Sequence, residues 1–386
     1  MEGWDIIIVG AGLIGLSTAY RARKAGAKVL VIDRGAVAYE ASSRATGYLS
    51  LRGESPEESP MAQMAEKMWP LLDDELGYPT EWKQKGRLWA AFTDHEVAEL
   101  RGTYRSFENT DIKFEWVDSK TCRDIIPILS PNVQAGIYTA RSGHANPQRV
   151  SQAFAWAFQD LGGTILEYTP VYEVLSEKGQ VLGVRTAAGT FHAGRVVLAA
   201  AAFNAKLLEP FGIIFPVAPV RLEALVTTPM PPAYDVCFIG NGISIRQTLR
   251  GNLHANGGPS EWVDVNADDE PAKPNTPIIR NVVRRMIEAF PAAASLQLLR
   301  CWAGVVEITP DLMSIVENFE EPKGLLAAGG AGHAFGMAPA WGVAMAELAL
   351  EGKTKAPIDS LRLSRFGAIG VDWRAKLHWR PGDYNT

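Results

Sequence analysis

Cysteine is scarce in this 386-residue chain. Cys122, Cys237 and Cys301 lie far apart, with no CxxC pair. That excludes a disulfide framework and a thiolate zinc site, and it fits a reducing compartment. Long apolar runs are missing too. The longest, Val196 to Phe203, has eight residues, against the roughly 20 that a membrane-spanning helix needs. No basic stretch leads into an apolar one at the start, so no signal peptide is expected. Positive charge is in deficit. The 38 Lys and Arg stand against 43 Asp and Glu, a net charge of −5, which argues against a nucleic-acid partner. The histidines His95, His144, His192, His254, His333 and His378 show no HExxH or comparable spacing, so no metal centre is expected. With 47% hydrophobic and 21% charged residues, the chain reads as a soluble, cytoplasmic protein of two or three domains.

What is present begins at the fifth residue. Asp5-Ile-Ile-Ile-Val9 is a short β-branched run of the kind buried on both faces of a parallel sheet. It leads into Gly10-Ala-Gly12-Leu13-Ile14-Gly15, a helix over Leu16 to Ala25, and a second apolar strand from Lys28 to Ile32 that ends at Asp33. This is a βαβ unit with GxGxxG at its first turn. Gly10 permits the tight turn, Gly12 lets a pyrophosphate approach the backbone, and Gly15 lets helix and strand pack closely. The helix N-terminus offers free N–H groups and the positive end of its dipole to phosphates. Asp33 falls 18 residues after Gly15, where an acid would hold a ribose hydroxyl and disfavour a 2′-phosphate. The segment therefore predicts a dinucleotide site.

Two further segments point to a flavin dinucleotide. Arg34 follows the acid. Then Ala41-Ser42-Ser43-Arg44-Ala45-Thr46-Gly47 forms a small polar loop that can bring hydroxyls and amides to a diphosphate and a ring edge. About 300 residues later, Leu325 to Gly342 repeats the strand–glycine–helix pattern, with a strand over 324–328, Gly329-Gly330-Ala331-Gly332-His333-Ala334-Phe335-Gly336-Met337, and a helix through 344–350. A second helix N-terminus suits a flavin, whose reduced ring carries negative charge around N1 and O2.

These segments resemble the D-amino-acid-oxidase-type FAD oxidoreductases: glycine oxidase, sarcosine oxidase, and the catalytic subunits of opine and hydroxyproline dehydrogenases. The likeness continues through Gly143-His-Ala-Asn-Pro147, Val196 to Phe203, Pro216 to Arg221, Trp302-Ala-Gly304 and Thr309-Pro-Asp311. It implies an α/β fold in which a Rossmann-type FAD-binding lobe (1–80, 145–215 and 305–386) interlaces with a substrate lobe (81–144 and 216–304) on a mostly antiparallel sheet. The alternating runs Ile243 to Thr248 and Leu298 to Ala303 suggest that one face of that sheet is exposed. Pro229 to Pro232 and Pro271 to Pro277 read as loops, Thr164 to Val174 and Val181 to Thr186 as strands around a Glu-Lys-Gly turn, and the tail from Arg374 as poorly ordered.

The resemblance implies oxidation of an amine or amino acid: hydride goes to flavin N5 and the resulting imine hydrolyses. An N-substituted or cyclic amino acid is the leading substrate class. Deamination of a primary amino acid, oxidation of a 2-hydroxy acid, and a non-catalytic flavoprotein subunit are the alternatives. Val171, Ala200 and Gly304 join the cofactor candidates. Glycine-oxidase-like members place an arginine where Val306 stands, so a carboxylate grip falls to Arg52 or Arg246. Glu307 offers a rival, a carboxylate for a cationic group on the substrate. Trp302 and Trp341 are pocket candidates among the eleven tryptophans. Sarcosine-oxidase-like members attach FAD through a cysteine at the place of Gly304, so non-covalent FAD is expected here. His254 stands where those enzymes carry a lysine, and it could still be cationic. The resemblance also allows a homo-oligomer or a hetero-oligomer with partner redox subunits.

Overall fold

The structure, a computed structural model, describes residues 3–49, 55–110 and 113–385. Strand Ile6–Val9 is buried at every position, because parallel strands flank it on both sides. Val196–Leu198 pairs along one edge and Val29–Ile32 along the other. The full sheet has six strands, in the order Ile315–Asn318, Leu325–Gly329, Val196–Leu198, Ile6–Val9, Val29–Ile32, Thr164–Leu166. Only the edge pair Ile315–Asn318 with Leu325–Gly329 is antiparallel. Helices Leu13–Lys24, Pro147–Asp160 and Ala338–Glu351 contribute to the apolar core on one face. A three-stranded sheet (Val171–Glu177, Gln180–Thr186, Gly189–His192) contributes to the core on the other. Both faces are covered, which is why the strands read as continuous apolar runs.

The second sheet has nine strands. Leu298–Ile308, Ala218–Pro229, Asn252–Trp262, Ile243–Gln247, Cys237–Gly240, Arg87–Ala91, Ala135–Thr139 and Glu115–Asp118 follow in that order, and Tyr384–Asn385 pairs with Asn252–Trp262. All pairs are antiparallel except Arg87–Ala91 with Cys237–Gly240. Leu225, Phe238, Ile245, Leu253 and Ala255 form a core with helix Thr276–Ala289 on one face. Side chains alternate along a strand, so Arg246, His254 and Asn256 lie on the other.

The polar half of the alternation is not a solvated face. Arg246 and His254 are each 5% exposed, because that face is turned towards the six-stranded-sheet side. The tail also differs from expectation. Residues 373–376 form a helix, Trp379 stacks on Trp262 at 4.4 Å, and Tyr384–Asn385 extends the sheet. Apolar area from two tryptophans and a strand edge is enough to anchor a terminus. Of the proline-rich stretches, Pro229 ends a strand and Pro277 sits in the first turn of a helix capped by Asn275, where a missing N–H costs nothing.

Candidate active site

The glycine turn opens the site. Gly10 has φ +110, and a Cβ there would lie 2.4 Å from the Ala199 carbonyl oxygen. At Gly15 a Cβ would lie 1.9 Å from the Gly10 oxygen. A Cβ at Gly12 would meet only Ser42 Oγ, at 3.1 Å, so Gly12 faces space rather than protein. The Leu13 amide donates to Ser42 Oγ (3.0 Å). Asp33 accepts from the Ala11 amide (2.6 Å) and the Gly35 amide (2.8 Å). Burial raises the Asp33 pKa, and those two amides oppose the rise. Each carboxylate oxygen keeps a lone pair for a ligand hydroxyl.

From this turn a cavity of about 730 Å³ runs between the two sheets, within the usual range for a cofactor pocket. Of the residues singled out in the sequence, Gly10, Gly12, Leu13, Ile14, Asp33, Arg34, Ser42, Arg44, Ala45, Val171 and Ala200 line it. Trp302, Gly304, Glu307, Gly332, Ala334 and Phe335 line it from the opposite side of the chain's course. Residues some 300 positions apart thus meet on one volume. The arrangement fits an FAD: a glycine turn with an open approach, an acid at the ribose distance, and a long apolar-walled cavity.

Other candidates stand behind this lining. Gly15 is a packing glycine. The Ser43 carbonyl accepts from Gln148 Nε2 (2.6 Å). Gly47, at φ +82, allows the chain to pass Ala145. The Gly330 amide donates to Glu307 Oε1 (2.7 Å), and the Gly336 carbonyl accepts from Trp69 Nε1 (2.7 Å). Met337 is core. His333 Nε2 faces Glu58 Oε2 at 2.6 Å, and Glu58 also accepts from the Ser314 amide (2.8 Å). Burial favours a neutral Glu58, yet the charge and hydrogen bond of His333 override it and hold the pKa at about 2. Burial raises the pKa of Glu307.

Trp302 donates from Nε1 to the Arg44 carbonyl (3.0 Å), while Arg44 Nη1 donates to the Ala303 carbonyl (2.5 Å). These bonds lace the polar loop to strand Leu298–Ile308. His254 packs its ring 5.1 Å from Trp302. It is not cationic: burial and the neighbouring Arg246 push its pKa down to about 3. Arg246 pairs opposite His254 in the sheet and donates from Nε to the Thr46 carbonyl. Among the described residues no carboxylate lies within ion-pairing distance of it. Arg52 lies outside the described residues. Trp341 is core rather than pocket, since helix Ala338–Glu351 presses on helix Leu13–Lys24 and buries it completely.

Sequence reasoning missed the cavity wall from 263–272, and it missed Tyr39, Glu40 and Phe203. Phe203 ends the apolar run from Val196, and the others belong to no motif. They reach the cavity only through the packing of the two sheets.

A family model for FAD dependent oxidoreductases (DAO) matches residues 5–348. The chain belongs to this family. Among curated relatives of this FAD-dependent oxidoreductase, the sarcosine oxidase subunit beta of Rhodobacter capsulatus is 27% identical over 90% of this chain and 85% of its own. The L-proline dehydrogenase of P. horikoshii has a similar structure, with a TM-score of 0.84 at 25% identity over 98% of this chain and 99% of that one. Glycine oxidase from Geobacillus kaustophilus shares the fold, with a TM-score of 0.88 at 23% identity, covering 96% and 100% of the two chains. FAD-dependent amine or amino-acid oxidation is the activity of the family, and no helix among the described residues is long and apolar enough to cross a membrane.

Proposed function

We propose that this oxidoreductase acts on an N-substituted or cyclic amino acid, and that Arg246 holds the substrate's carboxylate. The supporting observation is a guanidinium only 5% exposed that, among the described residues, has a single carbonyl partner and no carboxylate within ion-pairing distance. A buried charge left unpaired is costly, so such a site favours an anion. Sarcosine and proline, named in two of the relatives, both carry a carboxylate beside a secondary amine.

Bound FAD supplies the acceptor for the hydride that leaves the carbon next to nitrogen. The protein's part is placement. Arg246 fixes one end of the substrate. Trp302, hydrogen-bonded to the polar loop, walls the cavity and packs on His254, the cross-strand neighbour of Arg246. His254 is neutral, so it adds no second cation near Arg246. Glu307 commits one oxygen to the Gly330 amide and fixes the second glycine turn against strand Leu298–Ile308. The same reading takes FAD as non-covalent, supported by Cys301 packing with the core of the nine-stranded sheet, away from Trp302. It also takes the two sheets as the interlaced lobes expected from sequence, and a partner redox subunit as compatible with the relative's name.

Arg246→Met tests the proposal. Truncating one member of a buried charge pair costs about 2–5 kcal/mol. The expected outcome is a KM for the amino acid raised at least about 30-fold, with FAD content unchanged. An unchanged KM would contradict the role given to Arg246.

A further inference from the structure

We infer that residues 263–272, arising from the nine-stranded-sheet side, are a strap laid across the Asp33 end of the cavity, and that this strap retains the adenosine half of the dinucleotide. The inference rests on the FAD reading of the cavity.

The strap leaves strand Asn252–Trp262 and returns to helix Thr276–Ala289. Between them, Val265, Ala267, Asp269 and Ala272 line the cavity together with Asp33 and Val171. Both arms are anchored on their own side. Arg374 donates to Asp264 Oδ1 (3.0 Å) and to the Val263 carbonyl (3.2 Å), and Glu223 accepts from the Asn275 amide (3.1 Å). The tip is closed on itself. The Asn266 amide donates to Asp269 Oδ2 (2.6 Å), and the Asp269 amide donates to the Asn266 carbonyl (3.1 Å).

Three side chains from the six-stranded-sheet side hold that tip down. Arg34 Nη1 donates to the carbonyls of Asn266 (3.3 Å), Ala267 (3.3 Å) and Asp269 (2.8 Å). Its Nη2 donates to Glu40 Oε1 (2.6 Å), and the guanidinium lies 4.5 Å over the Phe203 ring. Lys206 Nζ donates to Asn266 Oδ1 (2.5 Å), and the Tyr172 hydroxyl to Asp268 Oδ1 (2.9 Å). Arg34 thus points its donors at the strap and at Glu40. It is a latch rather than a phosphate ligand.

The strap's acids are also engaged within the protein: Asp264 with Arg374, Asp268 with Tyr172, Asp269 with the tip, Glu270 with Lys273. The strap lines the cavity with Val263, Val265, Ala267 and Ala272 and with Asp264, Asp269 and Glu270, acids already partnered within the protein, a wall that suits an uncharged nucleoside better than a phosphate. The latches from Lys206 and Tyr172 are exposed to water, so each is weak singly. They can release together to admit or discharge the cofactor.

The test is the rate of flavin release. Holoenzyme is diluted, and the rise of free-flavin fluorescence is followed for the parent, for Lys206→Ala with Tyr172→Phe, and for Arg34→Met. Apoenzyme loaded with FMN, which lacks the adenosine, is run alongside. Losing two exposed hydrogen bonds should speed FAD release about tenfold, and Arg34→Met more, while FMN release stays as in the parent. FAD release equal to the parent in both variants overturns the strap. Equal acceleration of FMN and FAD overturns it too, because the latches would then act on the whole cavity. A protein that takes up no FAD at all fails the cofactor reading itself, which is a different result from FAD uptake with unaltered release.

Discussion

Glu58 shows how much a single buried pair can do at the residue scale. Its side chain is fully buried, yet it carries a charge because His333 and the Ser314 amide face it. The carboxyl is held at about 2 against an ordinary 4.5. A depressed acid stabilises the fold above its unfolded pKa, and that contribution is lost as pH falls from about 4.5 through about 2. The difference corresponds to about 3 kcal/mol. Glu58→Gln should therefore lower Tm at neutral pH and flatten the acid limb of a Tm-against-pH curve below about 4.5. A variant whose acid limb matches the parent would show that the pair contributes nothing. Nothing in the sequence marked Glu58. It is one of three acids within five residues, Glu54, Glu57 and Glu58, and its partner lies 275 positions away. Arg246, by contrast, was legible, because an arginine in an alternating strand is a short list of candidates. Its burial was not, since alternation gives the face of a side chain but not what covers that face.

At the scale of the element, the two glycine turns were plain in the sequence because each glycine answers a steric demand that other residues cannot meet. The structure separates their roles. Gly15→Ala would drive a Cβ into the Gly10 carbonyl, so it should cost several kcal/mol, about 3 or more, and lower Tm sharply. Gly12→Ala meets one movable hydroxyl, so it should leave the Tm of the apoprotein nearly unchanged while weakening FAD binding by tenfold or more. Differential scanning with and without FAD distinguishes the two. A Gly12→Ala protein that binds FAD as the parent does would remove Gly12 from the site. Strands and helices in these turns fell within a few residues of expectation: the first helix starts at Leu13 rather than Leu16, and the helix of the second turn at Ala338 rather than Ala344. The tail was misread because tryptophans spaced like Trp373 and Trp379 carry no periodic signal. Only Trp262, over a hundred residues away, reveals what they pack on.

For the whole molecule, the site is a product of interlacing. Val9 and Val306 come from opposite ends of the chain and from different sheets, yet they line one cavity. The family and the cofactor could be read from ordered motifs, since each motif is local. The wall between the sheets could not, because it depends on how two sheets face each other, and the 263–272 strap belongs to that wall. The account's central claim is that this enzyme, with Arg246 as the carboxylate grip, oxidises a carboxylate-bearing secondary amine. Anaerobic addition of sarcosine or proline to the holoenzyme, beside dimethylamine or pyrrolidine, tests it most directly through bleaching of the flavin band. The account predicts that an amino acid of the first pair bleaches the band at least a hundredfold faster than its decarboxylated counterpart, as expected if a buried charge pair contributes about 3 kcal/mol. Equal rates for acid and amine, or bleaching by primary amino acids alone, would contradict it.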